Sequence, residues 1–332
     1  MHPLLRTVAE RQNGVFTAVD AHRAGYGHPE IRHLCGSGRW HRLRRGVYVT
    51  ADDLLRAEDD GRRHQLECLA VLLALDRPMT AISHLSAARL WGLPVRRRQD
   101  SEVRLTDPAH GRRGRGFRMT RAPLELDEVR TRGAVRLTTP ARTLIDCARE
   151  DPLEDAVVAM DAGLLAGKVT RQELQAAAAR ARRWPGGPRA DRALFLADGR
   201  AESPLETRGR LRLVGARLPV PELQVEIRVG DRLIAVVDAW FEDAAVAVEF
   251  DGRVKYTDPW RGRSPEQVLW DEKRREDELR ALDIGVVRIA DADLGARWPR
   301  VEETLRRLLA RPRPAGRRFS AAPRLRGVPR AG

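Results

Sequence analysis

AVEFDGRVKY, residues 247–256, decides how the C-terminal half of this chain is read. The stretch begins inside AAVAVEF (244–250), a continuous apolar run with one acid, which is the pattern of a short strand buried on both faces. That strand runs into two carboxylates with one residue between them, Glu249 and Asp251, then Gly252, and four residues after Asp251 stands Lys255. Such an end is either a metal site that cuts nucleic acid or an ordinary strand end with solvated charges. Lysine is scarce here: of 61 basic residues only Lys168, Lys255 and Lys273 are lysine.

Outward from this stretch the elements fall in a definite order. SPLETRGRLRLVGA (203–216) starts with a Ser-Pro pair and reads as a helix. LQVEIRV and RLIAVVDAWF are strands joined by the turn signal Gly230-Asp231. After the AAVAVEF strand come a long helix opened by Ser264-Pro265 and the buried strand GVVRIAD. The resulting order, α-β-β-β-α-β, resembles the common core of PD-(D/E)XK, restriction-endonuclease-like proteins. Asp238 lies on the second strand and Glu249 on the third, so neighbouring strands can carry both carboxylates to one side of the sheet. Two hard oxygens with the Phe250 carbonyl suit Mg²⁺ or Mn²⁺, whose bound water becomes a nucleophile near neutral pH. An ionised Asp238 within the apolar VVDAWF also requires a partner, because a lone buried carboxylate is costly. Where the superfamily places a lysine two residues after the glutamate, this chain has Asp251.

The segment 200–295 as a whole resembles a domain-of-unknown-function family related to very-short-patch repair endonucleases. The matching residues are Glu206 in SPLETRGRLR, Gln224 in ELQVEI, Asp238 in VVDAWF, and Glu249, Asp251 and Gly252 in VEFDG. That family has histidine where this chain has Lys255. The resemblance implies a catalytic set of Asp238, Glu249, Asp251, Lys255, Glu206 and Gln224, with Asp238, Glu249 and Asp251 on the metal. DEKRREDELRALDIGVVRI resembles the family's next helix and strand, which implies that Asp271, Arg274 or Arg275, and Arg288 face phosphate.

The N-terminal 52 residues carry a different pattern. Leu4, Leu5 and Val8 are spaced for a helix that breaks at Asn13-Gly14, Thr17 caps a second helix over AVDAHRAG, and Ile31, Leu34 and Cys35 share one face of a third. WHRLRRGVYVT then alternates around Arg45-Gly46 like a β-hairpin. Three short helices and a basic hairpin are the order of a winged helix-turn-helix, whose third helix enters the major groove while the wing touches the backbone. His28, Arg32, His33 and Arg39 would face DNA, with Arg42, Arg44 and Arg45 on the wing. The stretch 4–49 resembles the N-terminal domain of AbiEi-type antitoxins, and TAISHLSAARLWGLP (80–94) with VRLTTPARTLIDCARE (135–150) resembles the next part of that family. The resemblance implies operator DNA as ligand and a cognate toxin as a possible partner.

Charge agrees with a polyanionic partner. The net charge is +14, and residues 311–332 hold seven arginines and no acid, which reads as a disordered basic tail. Ser83, His84 and Ser86 lie in ISHLSAARLWGL, whose apolar spacing marks a structural helix rather than a nucleophile site. Cys35, Cys68 and Cys147 are widely separated and suit reduced thiols. No stretch reaches the ~20 apolar residues of a membrane span and no secretory signal is evident, so a cytoplasmic protein without membrane contact is expected.

The sequence therefore predicts an α+β multidomain chain. A winged helix-turn-helix occupies 1–52, a middle α-rich domain 53–185, a linker 186–200, the αβββαβ nuclease-like domain 201–310 and the tail 311–332. The function expected is DNA binding with Mg²⁺- or Mn²⁺-dependent phosphodiester hydrolysis. The alternative is a non-catalytic transcriptional regulator or antitoxin, and RNA stays open as the substrate.

Overall fold

A computed structural model describes residues 1–95, 102–251, 265–312 and 316–324; side chains of 265–269, 271 and 272 are not described. The chain forms two compact units, Met1–Ala159 with Gly167–Leu194, and Met160–Ala166 with Phe195–Gly332. No helix among the described residues is long and apolar enough to cross a membrane.

The first unit opens with α1 (Pro3–Arg11), β1 (Val15–Thr17), α2 (Ala18–Arg23), α3 (His28–Gly36), β2 (Trp40–Arg44) and β3 (Val47–Thr50). Thr17 and Asp20 close α2 in a reciprocal capping box. The three strands pair in the order β1-β3-β2. Leu5, Ala9, Phe16, Ala21, Ile31, Leu34 and Trp40 form the small core, with the Phe16 and Trp40 rings edge to face at 4.7 Å. This is the helix and hairpin arrangement expected from the sequence, with β1 added: a three-residue strand is too short to show a period.

The middle of the chain departs from the α-rich expectation. It contains α4 (Ala51–Asp59), α5 (Arg63–Leu75), β4 (Ala81–Ile82), α6 (His84–Leu90), β5 (Val103–Asp107), β6 (Arg112–Gly114), β7 (Phe117–Arg121), β8 (Val129–Arg132), β9 (Val135–Thr138) and α7 (Pro140–Glu150). Six of these are strands of one mixed sheet, ordered β6-β7-β5-β4-β9-β8. Interspersed arginines hide the apolar face: in FRMTR, Phe117 and Met119 are buried while Arg118 and Arg121 are exposed. Val15, Val47 and Val49 of the N-terminal segment share a core with Leu66, Leu69, Leu105 and Leu137, so the divide expected near residue 52 is not a break in packing. A fully buried Arg142 of α7 ties that helix to Glu128 at 2.7 Å and to the Pro123 carbonyl at 2.9 Å, and pairs within the helix with Asp146 at 2.9 Å. Helices α8 (Leu153–Leu165), α9 (Arg171–Ala181) and α10 (Gly187–Leu196) follow. The last occupies most of the expected linker, because Gly187-Pro188 opens a helix there rather than a loop.

The second unit contains α11 (Pro204–Gly215), β10 (Glu222–Val229), β11 (Arg232–Phe241), β12 (Val246–Asp251), α12 (Pro265–Ala281), β13 (Gly285–Ala290), α13 (Trp298–Leu309) and β14 (Ser320–Pro323). The sheet order is β13-β12-β11-β10-β14, antiparallel except for the β12–β13 pair, which is parallel. Gly209 of α11 lies so close to β12 that a Cβ there would stand 1.9 Å from the Phe250 ring. The expected disordered tail is corrected at 316–324: Phe319 is buried against Trp240, and β14 closes the β10 edge. Residues 313–315 and 325–332 lie outside the described residues.

Candidate functional site

Helix α3 is anchored by Ile31 and Leu34, and this spacing turns His28, Glu30, Arg32 and His33 to solvent. Arg39, Arg42 and Arg45 are also exposed, whereas Trp40 and Val47 face the core. Between the helices, the Tyr26 hydroxyl accepts the His2 N–H at 2.7 Å and the His22 and His28 rings meet at 4.4 Å. The exposed set is a basic surface built on a rigid scaffold, suited to phosphate and base edges. Arg44 is a correction. It bonds the Arg115 and Gly116 carbonyls and lies over the Phe117 ring at 5.8 Å, so it ties the wing to the β6–β7 turn. A guanidinium so engaged packs the wing rather than reaching a ligand.

In the second unit Glu206, Gln224 and Asp238 come together, all of them buried. The Gln224 amide donates to Glu206 Oε2 at 3.0 Å and stands 3.4 Å from Asp238 Oδ1. Asp238 Oδ2 accepts the Phe250 N–H at 2.8 Å, and Glu206 Oε2 accepts the Glu202 N–H at 2.8 Å. Gln224 reaches this position from a left-handed backbone, φ 53°, in the middle of β10, a conformation costly for a residue with a side chain. A buried ion pair positions α11 and with it Glu206. Asp161 accepts from Arg210 and from Thr207, each at 2.8 Å, and from the Asp198 N–H at 2.6 Å. Burial pushes the Asp161 carboxyl up to about 6, against the pull of Arg210 and those donors.

Glu249 stands beside Phe250 on β12, and its carboxylate meets a cation. It pairs in register with Arg288, whose Nε is 3.5 Å from Glu249 Oε2 and whose Nη2 is 3.2 Å from Glu276 on α12. Phe250 faces α11, so Glu249 and Asp251, one residue to either side, project to the opposite face of β12. Among the described residues no three of His, Cys, Asp and Glu form a group that could hold a metal ion. Arg288 is half-buried between two carboxylates, which corrects the expectation that it faces phosphate. Arg274 and Arg275 are exposed on α12, Arg274 beside Glu278 at 3.4 Å. Lys255 and the Asp271 side chain lie outside the described residues.

Two contributors were not visible in the sequence. Arg324, in the presumed tail, donates its N–H to the Gln224 carbonyl at 2.8 Å and its guanidinium to Glu202. Asp161 sits far from α11 in sequence and carries no motif. The Ser83–His84 pair is structural, as its spacing indicates. Ser83 Oγ lies 2.8 Å from His84 Nδ1 and accepts from Thr106, His84 Nε2 faces Glu150 at 3.4 Å, and both residues are buried.

Residues 3–51 match the family described as "Transcriptional regulator, AbiEi antitoxin". Two curated relatives from Mycobacterium tuberculosis are "Uncharacterized protein MT2308" of strain CDC 1551 / Oshkosh and "Uncharacterized protein Rv2248" of strain ATCC 25618 / H37Rv. Each is 32% identical over 179 residues, which is 54% of this chain and 64% of the relative, so the match spans less than two thirds of their length. The crystal structure of the RV2827C protein from Mycobacterium tuberculosis aligns with 62% of this chain and 78% of that one at 18% identity, with a TM-score of 0.37.

Proposed function

We propose that this protein is a double-stranded-DNA-binding transcriptional regulator that reads an operator through α3 and contacts the backbone through the β2–β3 wing. One observation carries the reading. The segment that matches the AbiEi regulator family presents Arg32, His33, Arg39, Arg42 and Arg45 on one small, internally packed scaffold. Phosphate contacts from such a set supply salt-dependent affinity, and side chains from the helix supply base selection. Selection of bound duplexes from a random pool by the full chain should enrich one sequence motif. Recovery of no motif would overturn the operator reading. The family description also brings a cognate toxin as a partner to seek, by co-purification with the products of adjacent genes.

A second reading, phosphodiester hydrolysis by the C-terminal unit, is favoured by the buried Glu206–Gln224–Asp238 cluster in an αβββαβ order of elements. The donor set is of the hard-oxygen kind that Mg²⁺ or Mn²⁺ takes. As described, however, it does not close around an ion: the Gln224 amide stands between the two carboxylates and Glu249 is held by Arg288. No hydrolytic step is therefore derived, and Asp251 and Lys255 enter this reading only as residues to mutate. Nicking of supercoiled plasmid with Mn²⁺ that disappears in both Asp238→Ala and Glu249→Ala would support hydrolysis. Nicking unchanged in those variants, or none at all, would remove it.

A further inference from the structure

The first unit holds a cavity of about 780 Å³ whose lining includes no residue of α3 or the wing. It is framed by the start of α5, the end of α6, and strands β8 and β9, and its volume suits a small-molecule ligand. Its charge is one-sided. Arg62, Arg63, Arg89 and Arg132 line it against a single carboxylate, Glu67. Two of the four guanidinium groups are neutralised: Arg62 pairs with Asp60 at 2.5 Å, and Arg63 pairs with Glu58 and, at 3.2 Å, with Glu67. The other two have no carboxylate among the described residues. Arg132 spends one nitrogen on the Leu90 carbonyl at 3.0 Å, and Arg89 is half-buried without an ion pair.

His64 adds a buried, neutral imidazole to the same wall. Its Nε2 lies 3.0 Å from Ser86 Oγ, and that oxygen already accepts the Arg104 N–H. Nδ1 is buried and has no hydrogen-bond partner, with the nearest carboxylate, Glu67, at 3.9 Å. Burial, and after it Arg89, hold the His64 pKa down at about 4, so the ring stays neutral at physiological pH. Below the polar wall the surface is aliphatic, with Leu93, Val135 and Leu137 buried.

We propose that this cavity binds a small organic oxyanion of about mononucleotide size, with Arg89 and Arg132 receiving the anionic group and the aliphatic floor receiving its apolar body. Unpaired guanidinium groups form strong, directional bonds to phosphate and carboxylate oxygens. An orphaned buried polar atom such as His64 Nδ1 is costly until a partner arrives. The same anion chemistry serves a phosphate monoester or an aromatic carboxylate. The inference goes beyond the DNA reading, since it gives the unit a ligand distinct from the operator.

Titration calorimetry on the full chain with AMP, benzoate, adenosine and inorganic phosphate tests it. AMP, benzoate or both should bind. Adenosine and free phosphate should each bind about tenfold more weakly than AMP if the phosphate ester is the ligand. Arg89→Gln and Arg132→Gln should each weaken the bound anion by about tenfold or more, as loss of one charge-assisted hydrogen bond does, with circular dichroism unchanged. Absence of binding by AMP and benzoate, or equal binding in both variants, would overturn the assignment. Phosphate binding as tightly as AMP would overturn it too, by reducing the site to a bare oxyanion pocket. Duplex affinity lost in both variants while AMP and benzoate fail to bind would assign the arginines to DNA instead.

Discussion

At the scale of single residues, Arg142 and Glu150 show how much charge the first unit places inside. Arg142 is 1% exposed and answers two carboxylates at once, Glu128 and Asp146. Replacing it with Met fills the space but removes the buried cation the two acids share, leaving Asp146 with Arg149 at 3.0 Å and Glu128 with Arg180 at 3.7 Å, so Arg142→Met should cost about 3 kcal/mol in urea denaturation. Glu150 works at a half-open site. Burial raises its pKa, yet the contacts with His84 and Arg104 outweigh burial and hold it well below the usual carboxylate range. A depressed folded-state pKa stabilises above the unfolded value of about 4.3 and loses that contribution as pH falls toward the folded one. Stability should therefore decline below about pH 5, and Glu150→Gln should flatten that decline; identical acid limbs for the two proteins would contradict it. Neither network was legible in the sequence. Arg142 pairs across 14 residues to Glu128, and no periodicity reports on such a partner.

At the scale of elements, the sequence reading was most secure where apolar spacing and capping residues agreed. Ile31 and Leu34 mark the buried face of α3, Thr17 caps α2, and Arg45-Gly46 turns the wing, all as the residues indicate. It failed where composition masked a pattern. Arginines scattered through 95–121 made β5 and β7 look like basic surface, and the Pro, Gly and Arg content of 316–324 hid the strand that Phe319 anchors. Phe319→Ala should destabilise the second unit by about 3 kcal/mol and open the β10 edge, seen as faster amide exchange over Val225–Arg228. The α11–β12 contact is equally specific. Gly209→Ala would drive a methyl group into the Phe250 ring and should cost about 1–3 kcal/mol by overpacking. The candidate C-terminal site was legible only in part. Glu206, Gln224 and Asp238 gather because adjacent elements bring them together, whereas strand alternation sends Glu249 and Asp251 to the face opposite Phe250.

At the scale of the whole molecule, a net charge of +14 makes non-specific attraction to DNA inevitable, so binding alone says little about α3. What separates the operator reading from general basicity is the dependence on a few exposed side chains. The most direct measurement is fluorescence anisotropy of a duplex from the gene's own upstream region, titrated with native protein and with the Arg32→Ala, Arg39→Ala, Arg42→Ala triple variant across a series of salt concentrations. The account predicts that native affinity falls steeply with salt, and that the triple variant binds at least about tenfold more weakly, with a shallower salt slope and an unchanged melting temperature. Equal affinity and slope for the two proteins, or no duplex binding at low salt, would contradict it.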